Sequence, residues 1–169
     1  APNYDLMNDL MSGGMHRLWK SALIQSIKPA PNLTIVDVGG GTGDISFSLL
    51  NKISSHVILF DINTTMLSIG KERATEKGKL DKLTWVCGDA EALPLPCGSV
   101  DIYITAFCLR NVGRLPEALR EARRILKPGG QFLCLEFSTV TLPVLSRLYN
   151  SYSFKVLPIV GHLVAKDRE

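Results

Sequence analysis

A short apolar run followed by closely spaced glycines is the feature that most constrains the fold of this chain. Ile35–Val38 is rich in β-branched residues, which is typical of a buried strand. Gly39–Gly43 holds four glycines, and without a Cβ they permit a turn in which backbone approaches a ligand. Thr42 and Asp44 are polar residues suited to begin the following helix. Strand, glycine turn and helix predict a nucleotide site at the carboxyl end of a parallel sheet.

The spacing of the glycines narrows the kind of ligand. A dinucleotide site requires G-x-G-x-x-G, but the sixth position is Asp44 counted from Gly39 and Ser46 counted from Gly41. No Gly-Lys-Ser/Thr follows, so the pattern is not a P-loop. A turn closed by an acid suits a positively charged ligand, and S-adenosylmethionine carries a sulfonium and an ammonium group. We therefore favour S-adenosylmethionine; the alternative is a turn that only links a strand to a helix.

Composition limits the class of protein. The chain of 169 residues is 46% hydrophobic and 21% charged, as expected for one globular domain. A net charge of +3 without a run of basic residues gives no support for nucleic-acid binding. The four cysteines have no C-x-x-C spacing, so we expect buried, reduced thiols and no metal site. No apolar stretch reaches the 18 residues of a membrane span.

Alternating periodicities predict an α/β fold. We expect helices over about residues 15–27, 64–77 and 115–126, with further helical segments before Gly13 and over 142–154. We expect strands over residues 35–38, 56–60, 83–87, 100–107 and 131–137. On the helices, the periodicity places Leu119, Ala122 and Leu126 inward and Arg73 in water. Five strands alternating with helices predict a doubly wound, mostly parallel sheet.

Polar residues follow several of these strands. Asp61 is placed to accept hydrogen bonds from ribose hydroxyls, or else it is an acid at a helix N-terminus. Asp89 can accept from the exocyclic amine of adenine, or else it caps a short turn. Arg110 and Asn111 can bind a substrate oxygen or orient a water, or else they are a surface pair. Glu136 is polar in an apolar run, so we expect it to face the site.

The motifs that carry these residues resemble a known family. They are Y-D-L-M-N-D-L-M-S with H-R-L-W-K, D-V-G-G-G-T-G-D, D-I-N-T-T-M-L, G-D-A-E-A-L-P, L-R-N-V, L-K-P-G-G, L-E-F-S and Y-S-F-K-V-L-P. The glycine turn resembles that of the seven-strand S-adenosylmethionine-dependent methyltransferases. The first motif, L-R-N-V and Y-S-F-K-V-L-P resemble the ubiquinone/menaquinone biosynthesis C-methyltransferase family. The resemblance covers nearly the whole chain and implies a Rossmann-like methyltransferase architecture.

This resemblance implies C-methylation of a polyprenylated benzoquinol, or of demethylmenaquinol. It implies that Arg110 and Asn111 act near the quinol, by positioning a water or accepting its proton, and that Tyr4 belongs to a lid over the ring. Thr42 would contact the cofactor, Asp61 would bind its ribose, and Asp89 would flank its adenine. The full set expected to bind S-adenosylmethionine is Gly39, Gly41, Thr42, Gly43, Asp61, Ile62, Asp89, Ala90 and Phe107.

The resemblance also suggests how the chain is organised. Residues 1–28 would form a helical lid segment, residues 29–138 the cofactor-binding α/β core and residues 139–169 a helical substrate-side segment. Family members usually carry glycine at the position of Cys108 and often alanine at that of Gly39. The resemblance implies two more strands in the family fold, which we expect these 169 residues to lack. We therefore expect weakened stability, or a homodimer that covers the edge of the sheet.

Other functions stay open at this point. One alternative is a methyltransferase of the same fold that acts on another small acceptor. A second is a non-catalytic, cofactor-binding scaffold of a quinone-biosynthesis complex, and a dehydrogenase is disfavoured by the incomplete dinucleotide pattern. A polyprenyl substrate implies peripheral membrane contact. The resemblance places such a protein in the mitochondrial matrix at the inner membrane, or at the membrane in a bacterial cytoplasm.

Overall fold

The computed structural model describes residues 15–28, 30–53 and 55–137, of which Leu18–Glu136 belong to one compact unit. The strands are β1 (Thr34–Val38), β2 (His56–Asp61), β3 (Leu83–Cys87), β4 (Val100–Ala106) and β5 (Leu126–Leu135). The helices are α1 (Met15–Gln25), α2 (Asp44–Leu50), α3 (Thr64–Glu76) and α4 (Leu115–Ile125), with 3₁₀ turns over Leu80–Lys82 and Leu109–Asn111. Tyr4 and the helical segments predicted before Gly13 and over 142–154 lie outside the described residues.

All pairings in the five-stranded sheet are parallel, and the strand order is β3-β2-β1-β4-β5. In the centre, Val36 of β1 is in register with Ile58 of β2 on one side and Tyr103 of β4 on the other. The order reverses between β1 and β4, so the loops that follow these two strands flank a crevice where α/β sheets bind ligands. This arrangement confirms the predicted doubly wound parallel sheet.

Successive residues of β1 supply both faces of the core because side chains alternate along a strand. Ile35 packs in a cluster with Phe47 and Leu49 of α2. Val36 packs in a second cluster with Ala122 and Ile125 of α4. Burial on both faces explains why the strand reads as a continuous apolar run rather than an alternating one.

The fifth strand differs from its prediction. It begins at Leu126, not Gln131, because the Lys-Pro-Gly-Gly segment is drawn into the sheet through an irregular pairing. Leu126 pairs with Val100 and Gln131 pairs with Ile102, so the segment between them forms a bulge. The strand ends at Leu135, which leaves Glu136 just beyond its carboxyl end.

Two expectations about burial were wrong. The apolar face of α4 is formed by Ala118, Ala122 and Ile125, whereas Leu119 is 41% exposed. The four cysteines are free thiols, but Cys108 is half-buried and the other three are exposed. Cys87 and Cys134 lie on β3 and β5, the two edge strands of the described sheet, and Cys97 and Cys108 lie in loops, which accounts for the difference.

Candidate active site

The glycine turn is held to the neighbouring strand by backbone hydrogen bonds. The N–H groups of Gly39 and Gly40 both donate to the carbonyl of Phe60, at 2.8 and 3.1 Å. Gly41 has a φ of +55°, and the nearest atoms to a Cβ built there are Met66 Cε at 3.6 Å and Asp61 Oδ2 at 3.9 Å. A Cβ there would be in ordinary van der Waals contact with these atoms, so glycine serves the positive φ of the turn and keeps the backbone beside Asp61 free of a side chain.

Asp61 is the last residue of β2, and both of its carboxylate oxygens are anchored. Oδ2 accepts the N–H of Gly41 and Oδ1 accepts the N–H of Asn63, each at 2.8 Å. A carboxylate oxygen has two acceptor sites, so each oxygen keeps capacity for one more donor. The anchored carboxylate can thus accept two further hydrogen-bond donors, and a ribose with two adjacent hydroxyl groups would supply both.

The adjoining residues suit an aromatic base. Ile62 is a large apolar residue with 72% of its surface exposed, directly after Asp61. The N–H of Gly88 donates to the carbonyl of Asp61 at 3.1 Å, which brings the loop after β3 to the same edge. In that loop Asp89 Oδ1 accepts the N–H of Glu91 at 2.9 Å, as in the capping alternative. The fit of this edge to the adenosine of S-adenosylmethionine rests on Asp61 and on the exposed Ile62.

The polar residues at the start of α2 contact cations of this chain. Arg73 Nη1 donates to Thr42 Oγ1 at 2.7 Å, and Arg73 Nη2 lies 2.9 Å from Asp44 Oδ1. Lys20 Nζ lies 3.4 Å from the other carboxylate oxygen of Asp44. The sequence predicted that Asp44 pairs with a positively charged ligand. This prediction is wrong, because Lys20 and Arg73 already pair with its carboxylate.

Sequence reasoning missed Arg73, which it had placed in water. Its side chain is 29% exposed and also lies over the ring of Phe47, with Cζ 5.9 Å from the centroid. Met66, Gly70 and Arg73 are spaced by four and three residues, so they share one face of α3. A Cβ on Gly70 would lie 3.2 Å from the carbonyl oxygen of Thr42, which shows that this face packs on the glycine turn. This helical spacing from Met66 and Gly70 is the sequence feature that indicates that Arg73 lies beside the glycine turn.

The loop after β4 forms the other wall of the crevice. Phe107 has a φ of +55°, and its N–H donates to the carbonyl of Leu135 at 2.8 Å. Arg110 pairs with Glu136 at 3.0 Å between Nη1 and Oε2, and its Cζ lies 5.5 Å from the centre of the Phe107 ring. Asn111 ends the 3₁₀ turn and is exposed. Glu136 thus contacts the Arg110 loop; that it faces a bound acceptor stays a prediction.

Cys108 joins this loop to the glycine turn, because its side chain occupies the space beside Gly39. The structure therefore brings the glycine turn, Asp61, the Asp89 loop and the Arg110 loop to one edge of the sheet. Burial raises the pKa of the Cys108 thiol, and Asp61 and Glu136 raise it further.

Within the described ranges, no three His, Cys, Asp or Glu side chains are grouped as metal ligands. No helix in that part of the chain is long and apolar enough to cross a membrane.

Known proteins resemble this chain along its full length. The model of the ubiE/COQ5 methyltransferase family matches residues 1–169. The ubiquinone/menaquinone biosynthesis C-methyltransferase UbiE of Methylobacterium nodulans is 54% identical, and the match covers 100% of this chain and 68% of that protein. The mitochondrial 2-methoxy-6-polyprenyl-1,4-benzoquinol methylase of Bos taurus is 43% identical over 99% of this chain and 61% of that protein. This chain thus spans about two thirds of the length of these relatives.

A solved structure supports the fold independently of sequence. A putative S-adenosyl-L-methionine-dependent methyltransferase of Methanococcus maripaludis superposes with a TM-score of 0.71 at 18% identity. The match covers 99% of this chain and 75% of that one. At this identity the likeness concerns the fold alone, and the fold is that of a methyltransferase.

Proposed function

Because this chain belongs to the ubiE/COQ5 methyltransferase family, we propose that it transfers a methyl group from S-adenosylmethionine to a ring carbon of a polyprenylated benzoquinol or demethylmenaquinol. The observation that carries the proposal is the packing of Cys108 against Gly39. It places the loop of Arg110 and Asn111 directly beside the glycine turn. A cofactor on the turn and a ring beside Arg110 would then be neighbours, and such proximity accounts for much of the rate in methyl transfer.

The cofactor would lie along the carboxyl edge of β1, β2 and β3. Asp61 would accept the two ribose hydroxyls, and Ile62 would cover the adenine ring. Asp89 and Ala90 would border the base from the next loop. The remaining residues proposed to bind it are Gly39, Gly41, Thr42, Gly43 and Phe107. When bound, S-adenosylmethionine supplies a methyl group on a positively charged sulfur.

Arg110 and Asn111 would act on the oxygen of the acceptor ring. A ring carbon becomes nucleophilic when the neighbouring hydroxyl loses its proton, and a guanidinium stabilises the resulting oxygen anion. Asn111 offers an amide that can orient the ring or a water. A guanidinium is a cation without an acceptor site, so the role proposed for Arg110 is electrostatic and not that of a base.

The division of the chain into three segments is proposed from the family resemblance. Residues 1–28, with Tyr4, would close over the ring; residues 29–138 would bind the cofactor; residues 139–169 would lie on the substrate side. The polyprenyl tail implies peripheral membrane contact, in a mitochondrial matrix or a bacterial cytoplasm, since relatives of both kinds match. A homodimer and membership of a quinone-biosynthesis complex stay predictions.

The experiment is methyl transfer from S-adenosylmethionine labelled in its methyl group. Chemically reduced demethylmenaquinol and a 2-methoxy-6-polyprenyl-1,4-benzoquinol are offered in detergent, and the label is counted in the lipid extract. We expect label in the quinol, and loss of label at the ring carbon when Arg110 is replaced by methionine. Mass spectrometry locates the new carbon–carbon bond.

The controls separate the alternatives. Arg120→Met changes the same residue type on the exposed face of α4, where Arg120 pairs with Glu117, so it should leave transfer unchanged. Label that enters only a water-soluble phenol offered in parallel would assign a different acceptor. Binding of the cofactor without transfer to any acceptor would assign a scaffold and contradict the proposal.

A further inference from the structure

Glu136 is held at the carboxyl edge of the sheet by two kinds of contact. It comes directly after β5, and the loop of Arg110 follows the neighbouring strand β4. The N–H of Phe107 donates to the carbonyl of Leu135 at 2.8 Å, which ties this loop to the end of β5. Arg110 Nη1 then lies 3.0 Å from Glu136 Oε2. The carboxylate therefore has a fixed place beside the loop proposed to bind the acceptor ring.

The two carboxylate oxygens of Glu136 are in different situations. Oε2 accepts from Arg110, whereas Oε1 is enclosed and has no hydrogen-bond partner among the described residues. Buried polar atoms in folded proteins nearly always have a partner, and exceptions occur at functional sites. The side chain as a whole is 22% exposed. A hydroxyl group on a bound ring would supply the donor that Oε1 lacks.

The other polar groups near this point are unsuited to accept a proton. The guanidinium of Arg110 carries only hydrogen-bond donors and has no acceptor site. Burial, together with nearby Asp61 and Glu136, raises the pKa of Cys108, so its thiol stays neutral at physiological pH. Burial first and Glu136 second also raise the pKa of Cys134. Asp61 already accepts a backbone N–H with each oxygen, and its remaining acceptor sites are the ones proposed to bind the ribose hydroxyls.

We propose that Glu136 is a catalytic residue that takes the proton from the hydroxyl group of the acceptor ring, while Arg110 holds its carboxylate in place. This role rests on the proposed function. The hydroxyl proton moves to Oε1 of Glu136, and the electron pair left on oxygen is shared with the neighbouring ring carbon. That carbon forms a bond to the methyl group as the methyl–sulfur bond breaks and its electron pair stays on sulfur. The ring carbon then releases its own hydrogen as a proton to water.

The test compares Glu136→Gln and Glu136→Ala with the wild-type chain in the quinol methylation assay. Glutamine keeps the size and the contact with Arg110 but cannot take a proton. Since general-base catalysis contributes about 10²–10⁴-fold, we expect kcat to fall about 100-fold or more, with the KM for the quinol within about threefold. The acidic limb of the wild-type pH–rate profile should disappear in Glu136→Gln. Added formate should raise the rate of Glu136→Ala about tenfold, because it supplies the missing base.

A matched control and a binding measurement separate catalysis from folding. Glu117→Gln makes the same change in a carboxylate that pairs with Arg120 on α4, and it should leave kcat unchanged. Calorimetry should show that both Glu136 variants bind S-adenosylmethionine within about twofold of wild type. If Glu136→Gln keeps kcat within about threefold, or if formate fails to rescue a Glu136→Ala chain that binds the cofactor, the role of Glu136 is wrong. A wild-type chain that methylates no quinol would instead overturn the proposed function, and this role with it.

Discussion

A Cβ placed on Gly39 would lie 2.2 Å from the sulfur and 2.4 Å from the Cβ of Cys108, so the cysteine side chain fills the space that a larger residue at position 39 needs. The turn after β1 and the loop after β4 meet at this contact. Members of the family that this chain resembles usually have glycine at the position of Cys108 and often alanine at that of Gly39. The methyl group of an alanine at position 39 and a cysteine side chain at position 108 would therefore occupy the same space, so only one of them fits.

This contact predicts that Gly39→Ala is destabilising and that Cys108→Gly partly restores stability. Overpacking costs about 1–3 kcal/mol. A φ of +72° adds strain of about 1 kcal/mol that the second change does not remove. We expect a coupling energy of about 1–2 kcal/mol in a double-mutant cycle measured by urea unfolding. Gly78→Ala is the control, because Gly78 has a similar φ of +60° but nothing lies within 4 Å of its Cβ. Additive effects of the two site changes would contradict the account.

A second prediction concerns the buried carboxyl of Asp37 in β1. Burial raises its pKa to about 6 from 3.8, although Ser46 Oγ donates to Oδ2 at 2.7 Å and opposes the shift. The native state therefore holds this proton to higher pH than the unfolded chain does. The stabilisation is complete below about pH 4 and is lost as pH rises through 6, by at most about 3 kcal/mol.

Asp37→Asn removes this titration. The free energy of unfolding of the variant, relative to wild type, should rise between pH 4 and pH 7, as measured by chemical denaturation at each pH. Asp81→Asn, at an exposed position of a 3₁₀ turn, is the control and should show no such trend. A constant difference between Asp37→Asn and wild type across this range would show that the carboxyl titrates normally.

A third prediction concerns Gly70 in the middle of α3. Alanine is usually favoured over glycine inside a helix by about 1 kcal/mol. Here a Cβ would lie 2.4 Å and 2.6 Å from ring atoms of Trp85, so we expect Gly70→Ala to lower stability by about 1–3 kcal/mol. Ser68→Ala, at an exposed position of the same helix, should instead be neutral or slightly stabilising. Thermal unfolding of the two variants decides, and a more stable Gly70→Ala protein would contradict the packing described.

A fourth prediction concerns Arg73, which bonds the hydroxyl of Thr42 and the carboxylate of Asp44. Arg73→Met keeps the apolar stem but removes both polar contacts, so the glycine turn is less well held. We expect the affinity for S-adenosylmethionine to fall about 5- to 10-fold, equivalent to about 1 kcal/mol. Arg73→Lys can keep one contact, so its affinity for S-adenosylmethionine, measured by calorimetry, should lie between those of wild type and Arg73→Met. An unchanged affinity in Arg73→Met would show that the turn does not depend on this contact.

The fold was largely predictable from sequence because its signals are local. Ile35–Val38 has the β-branched composition of a buried strand, and the glycines after it favour a tight turn at its carboxyl end. The bounds of β3 were predicted without error, over residues 83–87. The start of β5 was not, because proline and glycines normally end an element, whereas here Lys127–Gly130 continue the strand as a bulge.

The candidate site was predictable only where the sequence position of a single residue indicates its place in the fold. Asp61 lies at a strand end, and its position was correct. The partners of Asp44 were not predictable, because Lys20 and Arg73 come from different helices and meet only in three dimensions. The same holds for the fit of Cys108 against Gly39, which depends on a contact between two loops that are distant in sequence.

Calorimetric titration of the chain with S-adenosylmethionine and, separately, with NADH tests the central claim most directly. We expect S-adenosylmethionine to bind at one site, NADH not to bind, and Asp61→Ala to weaken binding at least about tenfold, since the variant loses the acceptor for both ribose hydroxyls. Asp81→Ala, with circular dichroism to show that each chain is folded, is the control. A folded wild-type chain that binds NADH instead, or an Asp61→Ala chain that binds S-adenosylmethionine as tightly as wild type, would contradict the site described.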